Sequence, residues 1–346
     1  MIRLRSVMSH WWLLMIKLNK NESPFPPFTK DELAEIIDRT EMHRYPREEH
    51  DTFIKLYADQ YGFQEDQIAL ANGSDEWIQK LNIVLPPGKM LVTNPDFTMY
   101  DVYASQFKRP IVKVDCDEEF NVREDEILAA IKREKPIFFI FSQPNNPLGH
   151  LYSQAFVDEA CELMGALGGY CVVDEAYLQY SDASRRTVTE LADHVVVLRT
   201  FSKIYGMAGL RIGIAISSPK TMELLRSVDH PYPVNSLSLE LANAFLSEPE
   251  RKRAFFAKHQ ALVLKLKDIF RRELDGVIKM KPTEANYIFT YGEEAVSLGD
   301  YLFANGFYPR VYDSERLRDV VRYSIASDDE LDLLEQAIRT WKTEVR

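Results

Sequence analysis

Arg199-Thr200-Phe201-Ser202-Lys203-Ile204-Tyr205-Gly206-Met207-Ala208-Gly209-Leu210-Arg211 directly follows Val195-Val196-Val197-Leu198, and this junction decides how the rest of the chain is read. Val195 to Leu198 is β-branched or aliphatic and uncharged, as expected of a strand buried on both faces of a parallel sheet. The carboxyl ends of such strands open on one common edge, where ligands bind. A lysine among 42 basic residues is ordinarily a solvated surface charge. Lys203 differs because it follows a buried strand and enters a glycine-containing loop. Arg211 stands eight residues further on. Gly206 and Gly209 between them let the backbone curl so that both cations meet one small molecule.

Working outward, two more segments have the same character, Ile137 to Phe141 and Tyr170 to Val173. Polar loops follow them: Ser142-Gln143-Pro144-Asn145-Asn146-Pro147-Leu148-Gly149 after the first and Asp174-Glu175-Ala176-Tyr177 after the second. A fourth loop, Asn72-Gly73-Ser74-Asp75-Glu76, follows the strand-like Ile68-Ala69-Leu70 and opens the periodic segment Trp77 to Val84. It is a helix start with free backbone N–H groups. From about Glu48 onward, strand-length apolar runs alternate with helical periods, which predicts an α/β fold with a mostly parallel central sheet sandwiched by helices. Beyond about Leu237 the pattern turns helical, with an amphipathic stretch from Glu250 to Leu274. Strand-like pieces at Tyr287 to Thr290 and Val320 to Ile325 complete a smaller α+β domain.

With 346 residues and 46% hydrophobic content, the chain has enough for two domains. The expected division is an N-terminal extension and arm over 1–46, a large ligand-binding domain over 47–240 and a small domain over 241–346, with the arm joining the small domain in space. In the arm, Pro24, Pro26 and Pro27 keep the backbone extended. Thr29 then caps a short helix, with Glu32 three residues on.

A formal net charge of -11 with no basic block argues against nucleic acid. Arg3 and Arg5 before the apolar run Trp11 to Ile16 superficially resemble a signal peptide. His10, Lys17 and Lys20 crowd that run, no small-residue cleavage site follows, and it is too short for a bilayer. The run reads as part of an extension, with Met15 an alternative start, and no membrane partner is expected. Cys116, Cys161 and Cys171 lie in or beside apolar sequence without metal spacing, as reduced thiols of a cytoplasmic protein do. The seven histidines are scattered, and His43 and His50 are too loosely placed to suggest a metal.

Four unlike groups converge at the predicted strand ends. A cofactor with an aldehyde, a pyridine nitrogen, a phenolic oxygen and a phosphate needs an amine, a carboxylate for the ring nitrogen, donors for the phenolate and a phosphate cradle. Lys203 supplies the amine and Asp174 the carboxylate. Tyr177 and Asn146 supply the donors, and Gly73, Ser74, Asp75, Ser202 and Arg211 form the cradle. This is the inventory for pyridoxal 5'-phosphate. A strand ending in Asp-Glu-Ala also presents magnesium in many nucleotide hydrolases, but the Gly-x-x-x-x-Gly-Lys-Ser/Thr loop which that chemistry requires is absent from the sequence.

With these residues in view, the chain resembles the fold-type I pyridoxal-phosphate-dependent aminotransferases, specifically the histidinol-phosphate aminotransferase group. The matching pieces stand in order from about Leu18 to Ser327. They are Asn19-Lys20-Asn21-Glu22, Arg44-Tyr45-Pro46, Asn72 to Glu76, Asn94-Pro95-Asp96-Phe97-Thr98-Met99-Tyr100, Pro144-Asn145-Asn146-Pro147, Val173 to Tyr177, and Arg199 to Lys203 continuing through Gly209-Leu210-Arg211. The resemblance implies that Tyr100 stacks on the pyridine ring and that Tyr45 reaches the phosphate bound by a neighbouring subunit, in a homodimer with shared active sites. It also implies that Arg322 grips a substrate carboxylate by a bidentate pair. Arg310 would read a distal phosphate, and Asn21 joins them at the substrate. Lys203, Asp174 and Tyr177 would be catalytic. Lys203, displaced by the incoming amine, removes the α-proton and returns it to the adjacent carbon, while Asp174 keeps the ring cationic.

The sequence departs from that group at four places. Ser23 stands where a second Asn is common, Phe25 where a Tyr is frequent, Leu148 where the turn has Thr, and Arg47 where an acidic residue follows Tyr45-Pro46. All lie near the mouth of the site, so the amino donor stays open between histidinol phosphate and an aromatic amino acid, with an oxo acid such as 2-oxoglutarate as acceptor. Decarboxylation, as in threonine-phosphate decarboxylases, is the alternative on the same cofactor. Whichever α-bond stands perpendicular to the ring breaks, and sequence does not display that angle. A non-catalytic, cofactor-binding regulator is the third reading, disfavoured by Lys203, Asp174 and Arg211 occurring together.

Overall fold

The computed structural model describes residues 15–181 and 191–344; most of the apolar run starting at Trp11 lies outside them. The strands are β1 (Ile16–Leu18), β2 (Ile68–Asn72), β3 (Met90–Asn94), β4 (Ile111–Asp115), β5 (Phe138–Ser142) and β6 (Tyr170–Asp174). They continue with β7 (Val195–Thr200), β8 (Ile212–Ser217), β9 (Lys279–Lys281), β10 (Tyr287–Tyr291), β11 (Phe307–Val311) and β12 (Val320–Ser324). Seven of them form one sheet in the order β2-β8-β7-β6-β5-β3-β4. All neighbours pair in parallel except those of β8, which runs against both β2 and β7.

Strands buried on both sides explain the charge-free runs. In β5, Phe138 and Ile140 pack on one face with Trp77, Ile78 and Leu81 of the helix Ser74–Val84. Phe139 and Phe141 pack on the other face with Phe156, Val157 and Ala160 of the helix Gln154–Ala166. That is the two-residue alternation of a strand with a core on each side.

Because the parallel strands share a direction, the loops after β2, β3, β5, β6 and β7 emerge on one edge. The reversed β8 begins on that edge, so Arg211, the residue before Ile212, arrives there as well. Register brings Asn72 opposite Ile212 and Thr200 opposite Gly213. A Cβ on Gly213 would lie 2.1 Å from the carbonyl carbon of Gly73, so only glycine lets these backbones pass.

The second sheet has the order β1-β11-β12-β10-β9. Expected in a loose extension, Ile16 and Lys17 instead open β1, which pairs in parallel with β11 and places fully buried Leu18 against the core. The arm therefore docks on the smaller sheet. The helix Lys30–Arg39 begins at Thr29 with the capping box intact. Strands β9 and β11 escape a period-2 reading because Lys279-Met280-Lys281 is too short and Pro309 interrupts the other. Residue 240 falls inside the helix Ser236–Leu246, so we propose that the two domains are joined by this helix and by Pro249–Leu274 rather than by a loop.

Candidate active site

The emergent loops enclose a cavity of about 410 Å³ lined by Ser74, Asp75, Phe97, Asn146, Asp174, Tyr177, Ser202, Lys203 and Arg211, among others. A second cavity adjoins it, lined by Asn19, Lys20, Asn21, Asp96, Arg310, Tyr312 and Arg322. Lys20, Phe97, Asn146, Tyr177 and Lys203 border both, so Lys203 stands at the junction.

Lys203 Nζ donates to the Lys20 carbonyl at 3.2 Å and lies 5.6 Å from the centre of the Tyr177 ring. Asp174 is 3% exposed at the end of β6. Burial pushes its carboxyl up to about 6, against the opposing effect of the Tyr100 hydroxyl, the Ala176 N–H and the charge of Lys203. Tyr100 O–H donates to Asp174 Oδ2 at 2.8 Å and Ala176 N–H to Oδ1 at 3.1 Å.

Expected to stack on the ring, Tyr100 instead is 1% exposed and borders neither cavity. It starts the buried side of the helix Met99–Gln106, and its hydroxyl is spent on Asp174. Like Tyr177, Phe97 borders both cavities, and it is a residue that motif spacing passed over. Its edge packs against Tyr100 at 5.6 Å between centroids.

At the far wall, Arg211 adopts φ +54 and donates to Asp75 Oδ2 at 3.0 Å and Ser202 Oγ at 3.3 Å. The Asp75 carboxylate thus orients Arg211, and only its N–H can serve an anion. The N–H groups of Ser74 and Asp75 have no partner among the described residues and open the helix Ser74–Val84, an anion-binding arrangement. Gly73 sits at φ +83, and a Cβ there would lie 2.1 Å from Arg211 Nη2.

Tyr177 Oη accepts from Asn21 Nδ2 at 2.9 Å. Arg322 donates through Nη1 to Asn146 Oδ1 at 2.5 Å and through Nη2 to the Asn19 carbonyl at 2.9 Å. Its Nε, with Asn19 Oδ1, Asn21 Oδ1 and Tyr312 Oη, is buried without a hydrogen-bond partner among the described residues. All four residues line the second cavity, and such atoms are costly unless a ligand meets them. Arg310 stands directly across from Arg322 on the neighbouring strand. Like charges so placed repel, and an anion between them removes the cost. Tyr45 is not brought to this site within the chain. It is 77% exposed and stacks on Tyr232 at 4.5 Å, beside a different cavity.

The residues present fit pyridoxal phosphate. The amine, the buried carboxylate, the two phenolate donors and the N–H cradle with Arg211 surround one space, with a flat aromatic face at its side. Two of the departures from the family pattern are accommodated locally. Ser23 Oγ lies 2.8 Å from His259 Nε2, and Leu148 packs with Phe120, Leu317 and Val320.

The family described as aminotransferase class I and II matches residues 14–338. A histidinol-phosphate aminotransferase of Clostridium novyi is 32% identical, covering 91% of this chain and 88% of its own. One from Pyrococcus furiosus is 31% identical, covering 96% and 94%. The histidinol-phosphate aminotransferase of Sinorhizobium meliloti, solved with pyridoxal-5'-phosphate, superposes with a TM-score of 0.81 at 22% identity, covering 94% of this chain and 91% of that one.

Proposed function

The chain belongs to the aminotransferase class I and II family, and on that premise we propose that it moves an amino group from a donor with an anionic distal end, histidinol phosphate foremost, to 2-oxoglutarate. It is a pyridoxal-phosphate-dependent aminotransferase; the donor is our reading. The observation that carries it is the strand-paired Arg310 and Arg322, which line one cavity with Lys203 and Phe97. The two guanidinium groups suit an anion, and the apolar faces of Phe97, Pro147 and Leu317 suit a flat ring between it and the reacting amine.

When bound, the cofactor supplies a ring that accepts the electron pair left as a proton leaves the substrate's amine-bearing carbon. Lys203 Nζ is the base we assign to that proton. Asp174 would hold a proton on the ring nitrogen by charge pairing, while Tyr177 and Asn146 would donate to the phenolic oxygen. Ser74, Asp75, Ser202 and Arg211 would retain the phosphate through N–H, O–H and guanidinium donors. Phe97, on the cavity wall, would help exclude water from the ring. Asn21 keeps Tyr177 in place and, with Arg322, orients the substrate.

We assign Tyr45 to the phosphate of a second copy's site, in a homodimer. Its ring is exposed and stacked rather than packed inward, which suits a contact completed by another chain. Among the described residues, no helix is long and apolar enough to cross a membrane. A cytosolic location accords with the three unpaired cysteines.

The test is a donor panel run with 2-oxoglutarate, reading glutamate and carbon dioxide. Histidinol phosphate should give glutamate with the highest kcat/KM, and Arg310→Ala should raise KM for it by about tenfold or more with little change for an uncharged donor. Preferential turnover of a donor lacking a distal anion, or release of carbon dioxide, would reject this assignment.

A further inference from the structure

Asp96 is a carboxylate on the wall of the substrate cavity, and none of the steps above uses it. It occupies the turn between β3 and the helix Met99–Gln106. Its Oδ2 accepts from Thr93 Oγ1 at 2.6 Å and from Ser142 N–H at 3.2 Å. Its Oδ1 accepts from Phe97 N–H at 2.7 Å and from the Ser142 hydroxyl. The Ser142 oxygen in turn accepts the Asn146 N–H at 2.9 Å, and Asn146 Oδ1 takes the Arg322 guanidinium. One carboxylate therefore ties the loop that carries Phe97 to the loop that carries Asn146, and through Asn146 to Arg322.

Resting on the reading of this site as the pyridoxal-phosphate and substrate site, we propose that Asp96 is a positioning residue for transamination, whose charged form holds Phe97 and Asn146 in register and whose protonation loosens both.

The geometry favours the charged form. Each carboxylate oxygen faces one backbone N–H, of Phe97 or of Ser142, and a backbone donor cannot turn round. A proton on either oxygen has to displace a donor or reverse the Thr93 or Ser142 hydroxyl, and the latter already anchors Asn146. Burial raises the Asp96 carboxyl to about 7, against the pull of Ser142, Thr93 and Phe97, which brings the change into the physiological range. The titratable groups around it are Tyr152, whose hydroxyl donates to Thr93 Oγ1 at 3.2 Å, Tyr100 with its partner Asp174, and Tyr287 from β10. Lys20, Lys203, Arg310 and Arg322 share the cavity.

The experiment measures pyridoxal-phosphate affinity by fluorescence, and kcat and KM, from pH 5.5 to 8.5 in wild type, Asp96→Asn and Ser142→Ala. Asn fails whichever way it turns, because its amide NH2 must oppose one of the two fixed N–H groups. The wild type should lose cofactor affinity and kcat as pH falls through about 7. Asp96→Asn should sit on the order of 10²-fold lower in kcat at pH 8, the scale of a displaced catalytic geometry, and lack that near-neutral limb. Ser142→Ala keeps the backbone donor and guards against a folding failure of the first variant; it should lower kcat about tenfold with the limb retained. A wild type that binds cofactor on Lys203 yet is flat between pH 6 and 8, or an Asp96→Asn enzyme indistinguishable from it, overturns the proposal alone. A wild type that takes no cofactor on Lys203 overturns it together with the reading on which it rests.

Discussion

Phe97 and Tyr100 stand three residues apart in one motif, and the structure separates their duties. Tyr100 lies outside both cavities and donates to Asp174, whereas Phe97 borders them. Spacing alone does not distinguish them, because both are aromatic and which one reaches the cavity depends on how the turn enters the helix Met99–Gln106. Lys203, Asp174, Asn146 and Arg211 were legible, since each follows or precedes a strand that composition marks as buried. Tyr100→Phe removes one donor from a carboxylate already raised to about 6. The remaining carboxylate is less well satisfied, so its pKa moves further up. A ring-nitrogen pair needs the ionised acid, so cofactor affinity, which should weaken below the Asp174 pKa in wild type, should begin to weaken at a higher pH in the variant. Fluorescence titration of cofactor across pH 5 to 8 checks this, and an unshifted midpoint would detach Tyr100 from Asp174.

At the scale of elements, the phosphate cradle depends on one reversed strand. An apolar run such as Ile212-Gly213-Ile214-Ala215-Ile216 carries no sign of its direction, so the sequence could place Arg211 near Lys203 only through loop flexibility. The antiparallel pairing of β8 with β2 and β7 is the physical cause. Gly213→Ala inserts a methyl 2.1 Å from the Gly73 backbone, which must move. Overpacking of this kind costs about 1–3 kcal/mol. Because the displaced residue starts the helix whose N–H groups we assign to the phosphate, the variant should melt lower and lose cofactor affinity together. A lower melting temperature with unchanged affinity would show that the cradle does not depend on this crossing. The helix start at Thr29 was readable to the residue, since capping is local chemistry.

Across the whole molecule, the arm and the two sheets close over the site. Asn19, Lys20 and Asn21 follow β1, which lies on the edge of the small sheet, and they contribute to the cavity by bonding Arg322, Lys203 and Tyr177. A loop from the large sheet is held the same way. Phe120 packs with Phe289, Leu317 and Val320, and Lys279 and Tyr291 reach Glu119. Such contacts, far apart in sequence, have no local signature, which is why Ile16 read as part of an extension and strands β9 and β11 were not seen. In our assignment Tyr45 completes the site of a second copy, a contact that its own stretch of sequence does not display either. The assembly as a whole makes one chemical claim, that the amine at the junction of the two cavities carries the cofactor. Borohydride reduction of the pyridoxal-phosphate-loaded protein, followed by peptide mass mapping, addresses it directly. A single modified peptide with the added mass on Lys203 is expected, absent from Lys203→Ala, which should also lose turnover. Label on any other lysine, or an active Lys203→Ala enzyme, would contradict it.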